Sequence, residues 1–194
     1  MPPLDKKLKV FYDYTCGHSY RVKKWFDIVT SKEGVQIEWK TMSLKEFNRE
    51  EGEPSVFEDP GLESISVLAL ALAHAVRGAD FAAYHDAIFD AIHEEHRRLA
   101  PEDIMDMAKS AGMKLETFEE NAQKLLEGVV REHHEGLHKW NAFGTPTVVF
   151  DDEVAVYLES FDLPHDDDHA LELWRSLLTF SEPDSGLNEW KRSQ

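Results

Sequence analysis

Cysteine is nearly absent: Cys16 is the single one in 194 residues. That excludes an internal disulfide and a cysteine-rich zinc site, so Cys16 acts without a second thiol from its own chain. Positive charge is also short, with 21 Lys and Arg against 38 Asp and Glu, a formal net charge of −17. Nucleic acid and anionic membranes repel such a polyanion, and neither is expected as a partner. Long apolar runs are missing too. The longest, Val67 to Ala73, has 7 residues, against the ~20 needed to cross a bilayer. With 10 Gly and 8 Pro the chain is neither collagen-like nor low-complexity, and 42 % hydrophobic residues are too many for a disordered one. Met1-Pro-Pro-Leu-Asp-Lys-Lys carries no apolar leader. A cytoplasmic location with a free thiol is therefore expected.

What is present is a change of hydrophobic period along the chain. Leu8-Lys-Val-Phe-Tyr-Asp-Tyr has the β-branched and aromatic content of a strand, and Val22, Trp25, Phe26 and Val29 then recur at helical spacing. Gly34 ends that helix, and Val35-Gln-Ile-Glu-Trp-Lys alternates as a second strand, completing a βαβ unit. Residues 46–60 read as a Glu-rich loop ending at Pro60. Helical patterns follow to Lys139. They comprise a buried Ala/Leu helix over Ser64–Val76, a break at Gly78, a stripe from Phe81 to His96, a helix opening at Pro101 and stopping at Gly112, and a last stretch interrupted at Gly128. Val148-Val-Phe and Val154-Ala-Val-Tyr-Leu are strands close enough for an antiparallel hairpin. Pro164-His-Asp-Asp-Asp opens the final helix, its aspartates suiting the positive end of the dipole.

On this plan Cys16 sits between a strand and a helix N-terminus, an environment that lowers a thiol's pKa from about 8.5. His18 adds positive charge there when protonated. A reactive thiolate and a buried structural cysteine are both open readings of the position. Far along the chain, Gly144-Thr145-Pro146-Thr147 precedes a strand. Either a trans turn proline or a cis Thr145–Pro146 bond fits. The cis form leaves a neighbouring backbone amide and carbonyl free to pair with an extended substrate.

Phe11-Tyr-Asp-Tyr-Thr-Cys16-Gly17-His18-Ser19-Tyr20, the helical insertion with Tyr84-His-Asp-Ala-Ile-Phe and Ala108-Lys-Ser-Ala-Gly, and Phe143-Gly-Thr-Pro146-Thr-Val-Val-Phe resemble the DsbA-like branch of the thioredoxin superfamily. The similarity is greatest to its cytoplasmic FrnE-type proteins and 2-hydroxychromene-2-carboxylate isomerases, and it spans residues 8–180. The resemblance implies an α/β thioredoxin fold (βαβ…ββα) with a large all-helical insertion. Residues 1–61 and 140–194 would form the thioredoxin-like domain and 62–139 the insertion. It also implies Cys16 as nucleophile, His18 and Ser19 tuning the sulfur, and Thr145, Pro146, Tyr14 and Gly17 holding the substrate. Ser19 stands where the family carries its second cysteine and Gly17 where it usually carries proline. An intramolecular disulfide cycle is therefore blocked.

Several functions follow from the resemblance. Cys16 forms mixed disulfides with glutathione, another low-molecular-weight thiol or a protein thiol, with no tightly bound cofactor. Alternatively the site runs a thiol-dependent isomerase or transferase reaction, although those isomerases usually have serine at the nucleophile position. It can also be a redox-inactive binding module, or Ser19 can replace a cysteine by design. Insertion residues from Ser64 to Tyr84 are expected to shape an apolar pocket. Tyr12, Tyr14 and Tyr20 flank the site, where a substrate groove is one reading and packing of the sheet on the first helix is the expectation for at least two of them. The pairs His134/His138, His165/His169 and His93/His96 are at helical spacing, yet the expectation is solvated polar faces and no metal. The tryptophans Trp25, Trp39, Trp140, Trp174 and Trp190 are expected mostly in the core.

Overall fold

The computed structural model describes residues 7–58, 64–76, 80–159 and 162–186. Pro60, the boundary between residues 61 and 62, the Gly78 break and Trp190 lie outside the described residues. Strand β1 (Lys7–Tyr12), helix α1 (Gly17–Glu33) and strand β2 (Gln36–Thr41) form a βαβ unit with β1 and β2 parallel, the pairing that a helical crossover permits. Strands β3 (Thr147–Phe150) and β4 (Val154–Tyr157) form an antiparallel hairpin. β3 pairs antiparallel with β1, Val148 opposite Val10, and the sheet order is β2-β1-β3-β4. Between β2 and β3 lie α2 (Leu44–Phe47), α3 (Ile65–Ala75), α4 (Phe81–His93), α5 (Pro101–Ser110) and α6 (Leu115–His134), closed by a π-helical turn, Glu135–Lys139. Helix α7 (Asp167–Phe180) follows β4. The chain thus has a thioredoxin fold with an all-helical insertion.

Strand alternation sends Leu8 and Val10 to one face of the sheet, where α1 and α7 bury Val22, Phe26, Val29 and Trp174 against them. Burying each such valine or phenylalanine contributes about 1.5–3 kcal/mol. Trp25 is buried in the same layer, and its indole N–H donates to the Ala170 carbonyl at 2.8 Å, fastening α1 to α7. Asp166 caps α7 by accepting the His169 amide at 2.8 Å. The opposite face carries Phe11 and Val149, covered by Met42 and Ala142.

The insertion does not fold apart from the sheet. Tyr12, Tyr14 and Tyr20 belong to the same apolar cluster as α3, α4, α5 and α6. Every residue of α3 from Val67 to Ala73 is buried, and the Tyr84 hydroxyl donates to the Ala69 carbonyl at 2.9 Å. The apolar character of this segment is therefore used to fill the core. Of the Ser64–Tyr84 segment expected to shape a pocket, Val67 to Ala73 and Tyr84 thus lie in the core.

Two local readings also change. Residues 46–60 do not begin as a loop, because Ser43 caps the short helix α2 through the Glu46 amide at 3.2 Å. Ser-x-x-Glu is a helix-start signal, and it stands in the sequence at 43–46. Helix α6 runs unbroken through Gly128, whose role is close approach: a Cβ there would stand 2.8 Å from His74 Nδ1. His74 is itself held, Nε2 lying 3.0 Å from Thr41 Oγ1 and 3.3 Å from the buried Glu132 carboxylate. Glu132 in turn accepts the Thr41 amide and hydroxyl, both at 2.8 Å, so α3, α6 and β2 meet at one polar node.

Replacing Gly128 by alanine raises helix propensity by about 1 kcal/mol. Here the new methyl meets a ring that cannot retreat. The expected net effect of Gly128→Ala is a loss of about 1–3 kcal/mol, read as a lower urea midpoint at unchanged slope. A higher midpoint would show that His74 moves freely.

Candidate functional site

β1 ends at Tyr12, and the next three residues form a tight turn around the buried carboxylate of Asp13. Its Oδ1 accepts the Thr15 amide at 2.8 Å and the Thr15 hydroxyl at 2.7 Å, and its Oδ2 accepts the Leu44 amide at 2.7 Å. Burial pushes the Asp13 carboxyl above its usual range, and these hydrogen bonds pull against that shift. The Cys16 amide donates to the Asp13 carbonyl at 3.1 Å. Held this way, Cys16 takes the extended backbone of a helix cap, and its sulfur does the capping of α1.

Cys16 is 6 % exposed, and its sulfur makes two hydrogen bonds. The Ser19 amide donates to Sγ at 3.4 Å, and the thiol donates to the Thr145 carbonyl at 3.1 Å. The Thr145–Pro146 peptide is cis. Residues 129 positions apart thus meet at one atom. The next carbonyl, that of Pro146, accepts the Leu158 amide at 3.1 Å. In the thiol form both carbonyls at the loop are therefore engaged, that of Thr145 by the Cys16 thiol alone. Thr147 Oγ1 donates to the Gly144 carbonyl at 2.8 Å and closes the loop.

Gly144 has a steric reason, since a Cβ there would lie 2.9 Å from the Tyr157 ring. Tyr157 packs over the loop, and Phe143, 64 % exposed, lies against it at 4.7 Å between centroids. Burial and the neighbouring Glu159 and Cys16 raise the Tyr157 phenol above its usual range.

Cys16, Gly17, His18, Ser19, Thr145 and Pro146 come together, but not all in the expected roles. Ser19 reaches the sulfur through its amide. Its hydroxyl is buried and has no hydrogen-bond partner among the described residues, as is true of the Thr145 hydroxyl. His18 Nδ1 accepts from the Arg21 guanidinium at 3.2 Å, so the fixed positive charge at this corner is that of Arg21. Tyr14 is corrected: its side chain is wholly buried and lines no groove. The turn after β1 sends it into the cluster formed with the insertion helices, and its hydroxyl bonds to His85 Nδ1 at 3.1 Å.

Sequence reasoning missed Arg21, His93 and Tyr157. Arg21 was readable, standing i+4 from Gly17 on α1. His93 was not, because it arrives from the insertion, where its Nε2 bonds the Tyr14 carbonyl at 2.8 Å. Burial, with the Arg21 and His96 charges added, holds His93 below its usual range. The expected metal-free histidine pairs have ring separations of 5.5 Å for His134/His138 and 3.9 Å for His165/His169. Among the described residues no three His, Cys, Asp or Glu side chains gather.

A cysteine capping the first helix of a βαβ unit, its sulfur against the loop before the hairpin, is the arrangement of a thioredoxin-fold protein of the DsbA-like kind. The sequence matches the DSBA-like thioredoxin domain over residues 7–166, and the chain belongs to that family. Among solved structures it is similar to a probable DsbA oxidoreductase from Streptomyces coelicolor, with 15 % identity, 97 % of this chain and 94 % of that one covered, and a TM-score of 0.64. It is also similar to the thiol-disulfide exchange protein alpha-DsbA2 from Wolbachia pipientis, with 17 % identity, 91 % and 84 % covered and a TM-score of 0.58. A third is alpha-DsbA1 from the same organism, at 14 % identity, 94 % and 92 % coverage and a TM-score of 0.60. At these identities the likeness is one of fold. No curated protein matches the chain significantly.

Behind the site, His85 is boxed by Tyr12, Trp39, Phe81 and Phe89 at centroid distances of 4.6–4.8 Å. Burial pushes His85 well below its usual range, and His133 is pushed down to about 4 chiefly by burial. Both folded values lie below that of the unfolded chain, so the unfolded state binds more protons as pH falls below about 6.5, and stability drops with it. His85→Phe should therefore flatten the loss of stability between about pH 6.5 and 5, measured by urea unfolding. An unchanged slope would mean that His85 already titrates normally in the fold.

Proposed function

We propose that the chain is a monothiol thiol–disulfide exchange protein. The Cys16 thiolate attacks a disulfide R–S–S–R, forms Cys16–S–S–R and releases R–S⁻. A second thiolate R′–S⁻ then attacks the mixed disulfide, giving R′–S–S–R and restoring the Cys16 thiolate. One observation carries this reading: the sulfur caps α1 between the Ser19 amide and the Thr145 carbonyl. Departure of the thiol proton breaks its bond to that carbonyl and leaves the anion facing the positive end of a 17-residue helix. No second thiol follows at Ser19, so resolution comes from outside the chain. The co-substrate is glutathione or another low-molecular-weight thiol, or a protein thiol, and no tightly held cofactor is required. A reducing cytoplasm suits a lone cysteine of this kind. Cysteine at the nucleophile position weighs for exchange over isomerisation.

Incubation with the disulfides of glutathione, mycothiol and bacillithiol, followed by intact mass, tests the proposal. The expected result is one adduct on Cys16 that excess thiol removes and that Cys16→Ser abolishes. No adduct with any of the three would leave a binding module. The Ser19 amide lies 3.4 Å from the sulfur, close enough for a cysteine here to pair with Cys16. Ser19→Cys is expected to lose both thiols on mild oxidation and regain both on reduction. Persistence of two free thiols would place position 19 out of reach.

A further inference from the structure

Arg21 makes no ion pair among the described residues, although the chain carries 38 Asp and Glu. Its one hydrogen bond is to His18 Nδ1 at 3.2 Å, which leaves most of its five donors unused. The guanidinium lies over Gly17: a Cβ on that residue would be 3.8 Å from one terminal nitrogen and 4.0 Å from the other. It therefore stands beside the residue that follows Cys16. Its charge, with that of His96, is felt at His93 across the same corner. Glu94, on the neighbouring α4 end, is bound by the Tyr20 hydroxyl at 2.5 Å and by Lys24 at 3.1 Å. Three further donors belong to residues beside the sulfur. Gly17 keeps an N–H that the family's usual proline would lack. The hydroxyls of Ser19 and Thr145, on the two residues whose main chains touch the sulfur, are buried and unpartnered.

We infer that Arg21 selects the small thiol: it receives a carboxylate of an acidic, glutathione-type disulfide and brings that molecule's sulfur onto Cys16. This rests on the exchange function proposed above. A planar guanidinium matches a carboxylate through two parallel hydrogen bonds, which an ammonium cannot reproduce. The step is Cys16–S⁻ plus the disulfide giving the Cys16 mixed disulfide and one free thiolate. The disulfide is the oxidant, and its second sulfur leaves with the electron pair. The Ser19 and Thr145 hydroxyls gain acceptors when the partner's polar groups arrive at the sulfur.

The test compares rates of mixed-disulfide formation with three probes: glutathione disulfide (acidic), hydroxyethyl disulfide (neutral) and cystamine (cationic). For Arg21→Ala the rate with glutathione disulfide should fall about tenfold or more, the size of a lost charge-assisted contact. The neutral probe should be unchanged, and cystamine unchanged or faster. Arg21→Lys, which keeps the charge and loses the fork, should recover only part of the rate. Equal slowing of all three probes, or no slowing with glutathione disulfide, would overturn the assignment to Arg21 and leave the exchange function standing. Failure of every probe to modify the unaltered protein would overturn both.

Discussion

The hydrogen bond from the Cys16 thiol to the Thr145 carbonyl, 3.1 Å long, joins the first turn of the fold to the loop before its third strand. Almost every other feature is arranged around it. The pairing of Phe11 with Thr147 brings the two segments side by side. The Asp13 carboxylate shapes the turn from behind, and Thr147 and Tyr157 hold the opposite loop. A sulfur is a weak donor and a weak acceptor, so this contact adds little stability of its own. Its importance is positional: it places the sulfur at a helix N-terminus and against the loop before β3.

The insertion acts on this site as a buttress. Its α4 supplies His93 to the Tyr14 carbonyl, and Asp86 on α4 shares the buried Lys23 of α1 with Asp27, which bonds it at 2.7 Å. Tyr20, one residue past Ser19, is stacked on His93 and bonded to Glu94, and burial and that bond push its phenol up to about 12. Polar groups buried this way are expensive unless bonded. Tyr14 and Glu132 find their partners across the two parts of the chain. The thioredoxin core and the insertion therefore share one set of obligations, and α1 is held from both sides.

The parts legible beforehand were those governed by period and punctuation. Strand–turn–helix at Cys16, the parallel second strand, the Pro101 helix start and the final hairpin each have their own local signal. What escaped was set by contacts between distant segments. Gly128 reads as a break because its neighbour His74 comes from another helix. Tyr14 reads as a groove residue because it sits beside the motif, although the insertion brings His85 and Phe89 to cover it. The occupied carbonyls of Thr145 and Pro146 depend on the sulfur and on Leu158, which no spacing rule connects. At the site itself, Cys16, Ser19, Thr145 and Pro146 were identifiable. Arg21 was visible only to a reader asking what lies one helical turn beyond Gly17.

The central claim is that folding activates Cys16, although it leaves the residue only 6 % exposed. The direct measurement is the rate of iodoacetamide alkylation of Cys16 at neutral pH, in the native protein and in the chain unfolded by urea. Capping of α1 by a reactive sulfur predicts faster alkylation in the folded state despite the burial. Slower alkylation of the folded protein, with full reactivity only in urea, would make Cys16 a structural residue and contradict the account.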